Sequence, residues 1–191
     1  PTLNSNPNLL RNTGFNQTDV LQKFFVPLSK NTDLKINLQY STSSDIPRFD
    51  RLDEKSEGTL KFAEWYYGPQ ERLLISPQLD INLGKSWLDK GTFTLAYQNI
   101  KESRIQRKLA SLERSYRNEN VDVFSFNGDF MFPLTKNETR AFTYGFEFLY
   151  NDVNSSAYGK TLEVSGNDII GFSDNFLVQT RYPDGGSSYV S

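Results

Sequence analysis

One short stretch of the chain forms a charged cluster that contains one aromatic side chain. The sequence RFDR brings Arg48, Phe49, Asp50 and Arg51 together, and Asp53 follows two positions later. Guanidinium groups bind carboxylates and phosphates through charge-assisted, often paired hydrogen bonds. One interpretation is a contact patch for a substrate or a carrier protein. The other is a set of ion pairs within a loop, which are common on protein surfaces and contribute about 0–1 kcal/mol each.

The most basic part of the chain is KESRIQRKLASLERSYRNEN, residues 101–120. Its arginines could contact propionates, phosphates or lipopolysaccharide headgroups. Glu102, Glu113 and Glu119 are interleaved with the cations, so mutual neutralisation is the competing interpretation. The cations concerned are Arg104, Arg107, Lys108, Arg114 and Arg117.

The secondary structure of this basic segment has two candidates. Apolar residues at helical spacing, Ile105, Leu109, Leu112 and Tyr116, favour a short amphipathic helix. The alternative is a pair of strands that meet at a tip near Leu109.

Three consecutive aromatic residues, Trp65, Tyr66 and Tyr67, form the next candidate site. They could stack on a planar ligand. Neighbouring residues of a strand point to opposite faces, however, so packing or a position at a lipid boundary accounts for at least two of them.

Composition excludes several classes of function. The chain has no histidine and no cysteine, so it lacks the usual general base, the thiol nucleophile and the commonest metal ligands. It also lacks a glycine-rich phosphate loop, a nucleophile elbow and any metal-spaced ligand set. With 21 Lys and Arg against 23 Asp and Glu, its net charge of −2 gives no general attraction to nucleic acid. We therefore expect neither an enzyme nor a nucleic-acid-binding protein.

Strict alternation of apolar and polar residues predicts the elements that position these side chains. Leu34, Ile36, Leu38 and Tyr40 alternate with polar residues, and the same period of two recurs along the chain. The clearest predicted strands are 20–28, 34–41, 72–84, 91–100, 121–134 and 141–152. The polar faces carry Asp80, Asn82, Asp129 and Glu147 among other residues.

The connections between these strands alternate in length. SKNTD, GKSWLDKG and TKNETR are short, whereas the regions near 42–70, 101–119 and 152–190 are long. This layout predicts an all-β fold, an antiparallel meander that forms a partial transmembrane β-barrel, with short turns at one end and long loops at the other. The alternative is a soluble all-β binding module, possibly carbohydrate-binding, with the three aromatics as a platform.

Several segments together resemble a known family. The chain resembles the barrel of TonB-dependent outer-membrane receptors, in particular the haem/haemoglobin/transferrin/lactoferrin receptor group. The matching pieces are TGFNQTDVLQK at 13–23, QYSTSSDIPRFDRL at 39–52, AEWYYGPQERLL at 63–74, AYQNIKESRIQRK at 96–108, LERSYRNENV at 112–121 and RYPDGGSSY at 181–189.

The resemblance implies a location in the outer membrane of a Gram-negative bacterium and energy-coupled uptake of an iron-containing ligand, such as haem or an iron-carrier complex. It implies a barrel of about 22 strands, of which residues 1–191 would be a single early segment without signal peptide, TonB box, plug or the remaining strands. Its partners would be the plug domain, the TonB complex, outer-membrane lipid and lipopolysaccharide, and the iron- or haem-containing ligand. Because this segment has no histidine, we expect no cofactor in it, and haem would be only a transported ligand of the parent protein.

Overall fold

The structure is a computed structural model that describes residues 6, 8–10, 13–85, 88–135, 140–166 and 168–191. Its elements are almost entirely strands. In chain order they are β1 (Gln17–Ser29), β2 (Thr32–Ser43), β3 (Ile46–Pro47), α1 (Phe49–Leu52), β4 (Lys55–Ser56), β5 (Thr59–Leu60), β6 (Phe62–Tyr67), β7 (Glu71–Lys85), β8 (Leu88–Lys108), β9 (Glu113–Pro133), β10 (Ala141–Ser165), β11 (Asp168–Phe176) and β12 (Gly185–Val190).

Ten of these strands form one antiparallel sheet in the order β1-β2-β7-β8-β9-β10-β11, and β3, β6 and β12 pair beside this path. Strands β4 and β5 form a separate hairpin. The prediction of an all-β antiparallel meander is confirmed. Among the described residues β1 pairs with neither β11 nor β12, so the sheet is open and not closed into a barrel. No helix in the described part of the chain is long and apolar enough to cross a membrane.

The two ends of the sheet differ. At one end, here called the turn end, β1 connects to β2, β7 to β8 and β9 to β10. The predicted short connection SKNTD is confirmed as a turn between Ser29 and Thr32. The predicted short connections at 84–91 and 135–140 include residues 86–87 and 136–139, which lie outside the described residues. At the other end, here called the tip end, lie residues 44–70, the turn 109–112 and the connection from β10 to β11.

The prediction of long loops at 101–119 and 152–190 is wrong. Strands β8 and β9 have 21 residues each and continue to a turn at 109–112, while β10 has 25 residues and continues to Ser165. The amphipathic helix near Leu109 is therefore not formed, and the alternative of two strands meeting at a tip there is confirmed. Both faces of these extensions carry polar side chains, so the alternation that reveals a half-buried strand is missing from the sequence.

Pairing is interrupted at the same level on both sides of the three long strands β8, β9 and β10. On one edge of β8, β6 pairs up to Arg104 and β7 begins opposite Lys101. On the outer edge of β10, β11 pairs down to Gly159 and β12 begins opposite Val153. Between these points, among the described residues, only β8, β9 and β10 keep regular ladders. The paired residues there are Glu102, Glu119 and Ser155, and next to them Ser103, Asn118 and Ser156.

Register places residues of one type on each face of the sheet. Leu38, Ile75, Tyr97, Phe124 and Tyr150 lie opposite one another across five strands, and their side is here called the apolar face. A register row three positions away, on the polar face, consists of Lys35, Gln78, Thr94, Asn127 and Glu147. The buried apolar residues are few and lie toward the tip end: Phe62, Trp65, Ile105 and Leu162.

Candidate functional site

Trp65 is surrounded by arginines near the tip end. The guanidinium carbons of Arg48, Arg51 and Arg104 lie 5.4, 5.7 and 5.3 Å from the centroid of the indole. The ring of Tyr67 meets the indole edge-on at 5.2 Å. Cations at these distances from an aromatic ring are attracted to it electrostatically. Trp65 is only 6% exposed, so its ring is already covered by protein.

Strand register explains which of the three aromatics join this cluster. Tyr67 lies opposite Arg104 and Trp65 opposite Gln106, which places both rings on the polar face. Tyr66 lies opposite Ile105, on the apolar face. The three rings therefore do not form one continuous surface for a planar ligand.

Arg48 is fixed by a local ion pair. Its Nε and Nη2 atoms donate to the two carboxylate oxygens of Asp50 at 2.8 and 2.7 Å, and Nη1 donates to the hydroxyl of Tyr67 at 2.9 Å. The hydrogen bonds to Asp50 raise the pKa of Arg48, and the same bonds lower the pKa of Asp50. Phe49, in the one-turn helix α1, remains exposed.

A cleft of about 380 Å³ opens beside Trp65 and is lined by six charged side chains. Within it Glu54 accepts hydrogen bonds from Lys61 at 2.6 Å and Arg51 at 3.4 Å. The bond from Lys61 is the main cause that lowers the pKa of Glu54. The charged residues that line the cleft are Arg51, Glu54, Lys61, Arg104, Arg117 and Arg181.

No sequence pattern predicts that Arg181 lines this cleft. It lies in the segment 177–184 between β11 and β12, whose residue Gln179 accepts a hydrogen bond from Arg117 Nε through its carbonyl oxygen at 3.2 Å. These two residues are 62 positions apart, so only the path of the chain around β10 brings Arg181 to the cleft.

Arg107 and Arg114 belong to a different cluster on the apolar face. Arg114 donates from Nε and Nη2 to both oxygens of Glu64 at 2.6 and 2.7 Å, and Arg107 donates to the same carboxylate at 3.3 Å. Burial raises the pKa of Glu64, but the hydrogen bonds from Arg114 and Arg107 outweigh it and the net pKa is lowered. This cluster joins β6 to β8 and β9.

Glu102 and Glu119, which are interleaved with the arginines in the sequence, therefore pair with them less closely than Glu64 does. Glu102 lies 3.9 Å from Arg104, and Glu119 is buried among the cations without an ion pair in the described part of the chain. Burial, and then the nearby charge of Glu102, raise the pKa of Glu119. No three acidic side chains in the described ranges are placed to hold a metal ion.

Comparison with known proteins identifies no relative. No family model matches the chain, no curated protein matches its sequence, and no solved structure matches its fold.

Proposed function

We propose that the chain forms part of the wall and external face of an outer-membrane receptor for energy-coupled uptake of an iron-containing ligand. The observation that carries this proposal is a band of aromatic side chains left uncovered on the apolar face. Phe124, Phe142 and Phe148 are 47, 50 and 41% exposed, and among the described residues no second sheet packs on them. A soluble sandwich would bury such a face.

The length of the band fits a hydrocarbon layer. On β10 it extends from Phe142 to Tyr150, nine residues, and a transmembrane strand needs about 9–11. Above it a polar row begins, where Asn99 donates to Asp122 at 2.8 Å. An apolar stripe of this height with polar ends is typical of the lipid-facing side of a barrel strand.

The polar face and the edges support the same assignment. Asp80, Asp129 and Glu147 lie on the face that would line a hydrated lumen and contact a plug domain. The outer edge of β1 has no partner among the described residues. Backbone groups cannot remain unpaired in lipid, so the proposal requires further strands of a parent protein beside this edge.

The alternative of a soluble carbohydrate-binding module receives no support from the cluster around Trp65. A stacking platform needs an accessible ring, and this ring is buried beneath arginines. The iron-containing ligand, the TonB complex and the outer-membrane location remain proposals that rest on the resemblance of the sequence segments.

The lipid-facing assignment can be tested with single cysteines, since the chain has none of its own. Phe148→Cys and Glu147→Cys are matched neighbours on opposite faces of β10. Each is made in the parent protein that supplies the further strands, labelled with an environment-sensitive fluorophore and reconstituted in vesicles that contain nitroxide-labelled lipids. We expect strong quenching at position 148 and little at 147.

Tyr158→Cys provides the depth control, because it lies on the apolar face beyond the band. We expect its label to resist quenching by nitroxides on the acyl chains. Equal quenching at positions 147 and 148 would refute a lipid-facing wall.

A further inference from the structure

The cleft beside Trp65 holds more positive than negative charge. Five cationic side chains and one carboxylate line it, and that carboxylate, Glu54, is already shared by Arg51 and Lys61. Glu102 and Glu119 lie nearby toward the turn end. With both of them counted as ionised, the cations still exceed the carboxylates by two.

Three arginines of the cleft have donor groups without an acidic partner. The Nε of Arg104 is buried and makes no hydrogen bond, while its Nη2 lies 3.9 Å from a carboxylate oxygen of Glu102, which is too far for a hydrogen bond. Arg117 uses Nε on a backbone carbonyl, and Arg181 lies 4.8 Å from the ring of Tyr182. In the described part of the chain neither Arg117 nor Arg181 forms an ion pair.

These donors come from elements that the sheet and its crossing segment hold in place. Arg104 and Arg117 lie opposite each other on β8 and β9, and the segment 177–184 brings Arg181 over the same face. Planar guanidinium forks match the paired oxygens of carboxylates and phosphates. A volume of about 380 Å³ lies within the range of small-molecule sites.

We propose that this cleft binds a small water-soluble polyanion, a polycarboxylate or a polyphosphate, through Arg104, Arg117 and Arg181. The bound oxygens contact the arginines, and Trp65 supports the guanidinium groups from below without stacking on the ligand. Identification of this anion with the ligand that the receptor takes up rests on the proposed function, whereas binding in the cleft does not.

The experiment uses the whole chain in detergent micelles with the substitution Trp87→Phe, which leaves Trp65 as its single tryptophan. Citrate and pyrophosphate are titrated separately, and binding is followed by the fluorescence of Trp65 and by isothermal calorimetry. We expect saturable binding of at least one of the two anions and weakening as salt is raised.

Substitutions identify the site. We expect Arg117→Gln and Arg181→Gln each to weaken binding at least about tenfold, because each removes a charge-assisted contact. Arg117→Lys keeps the charge but loses the planar fork, and we expect an intermediate affinity. The matched control is Arg72→Gln, which removes an arginine of the polar face that bonds to Gln98 outside the cleft. We expect its affinity to stay within about twofold of the parent.

The titrations distinguish the two classes of anion and can also overturn the proposal. Preference for citrate assigns a polycarboxylate, and preference for pyrophosphate assigns a phosphate-bearing ligand. Calorimetry that shows no binding of either anion, in protein whose circular dichroism shows intact β-structure, overturns the proposal. Equal weakening by Arg72→Gln overturns it too, since binding would then reflect the charge of the whole face. The cysteine-quenching experiment tests the lipid-facing wall independently of anion binding. Failure of that proposal is therefore distinguishable from failure of the anion site.

Discussion

The substitution Glu64→Gln tests whether the ion-pair cluster on the apolar face holds the tip end together. The Glu64 carboxylate receives two hydrogen bonds from Arg114, on a strand two places away in the sheet, and one from Arg107 on the strand between. The glutamine amide has nearly the same shape. It removes the negative charge and replaces one acceptor oxygen by a donor that faces Arg114.

The size of the effect follows from the exposure of the partners. Loss of one partner from a fully buried pair costs about 3–5 kcal/mol, and an exposed pair contributes about 0–1 kcal/mol. The side chains of Glu64 and Arg114 are 19 and 12% exposed, which places this pair between the two limits. We expect Glu64→Gln to lower the free energy of unfolding by about 2 kcal/mol at pH 7.

The pH dependence of this difference has a definite sign. The folded protein lowers the pKa of Glu64 below its usual 4.5, because the arginine hydrogen bonds outweigh burial. The stabilisation is therefore fully present above about pH 4.5 and is lost as the pH falls through the lowered folded value. We expect a constant difference between the parent and Glu64→Gln from pH 7 to about 5, and a smaller difference below that.

The assay is urea unfolding in detergent micelles, followed by tryptophan fluorescence because Trp65 is the next residue. Glu71→Gln is the matched control, since Glu71 pairs with Lys101 at 3.2 Å but the two side chains are 42 and 56% exposed. We expect a change of at most about 0.5 kcal/mol there. If the two variants lose the same stability, or if the Glu64→Gln difference grows below pH 4.5, the reasoning is wrong.

Two further substitutions test the packing and the charge of the sheet. Gly145→Ala would place a Cβ 2.5 Å from the carbonyl oxygen of Gly128. We therefore expect urea unfolding to show a free energy of unfolding lower by about 1–3 kcal/mol. The control is Gly14→Ala, which has open space around it, and we expect its free energy of unfolding to stay within about 0.5 kcal/mol of the parent. Burial and the charge of Glu102 raise the pKa of Glu119, so ionisation of Glu119 costs stability as pH rises above about 4.5. We expect Glu119→Gln to raise the melting temperature at pH 7 and to have little effect at pH 4, and an equal change at both pH values would contradict this.

The sequence predicts strands well where one face is apolar. The alternation from Leu34 to Tyr40 and from Phe142 to Tyr150 marks β2 and the first part of β10, because only one side of each strand is polar. The continuation of β10 to Ser165 has polar residues on both sides, so hydropathy contains no period there. Ladder hydrogen bonds with β9 and β11 keep it extended.

The site shows the same division between local and long-range information. The pair Arg48 and Asp50 is visible from spacing alone. The pair Glu64 and Arg114 spans 50 positions and depends on the register of β6 against β8 and of β8 against β9. Residue types indicate which groups could pair, whereas strand register decides which of them meet.

The shared level at which β6 and β7, and β11 and β12, are interrupted has a mechanical consequence. Across that level only β8, β9 and β10 run through as regular strands among the described residues. The interrupted edges contribute isolated hydrogen bonds there, such as that from Gly68 N to Ser103 O, so the resistance to bending between the two halves of the sheet is lowest at this level. Deformation concentrates where hydrogen bonds are fewest. Arg104 and Arg117 lie just beyond this line, while Arg181 belongs to the segment that interrupts the edge. Arg104 and Arg117 lie opposite each other on one side of this line, so bending there leaves their mutual spacing unchanged. It changes the position of both relative to Arg181, whose segment crosses the line, and so couples the shape of the cleft to the orientation of the tip end.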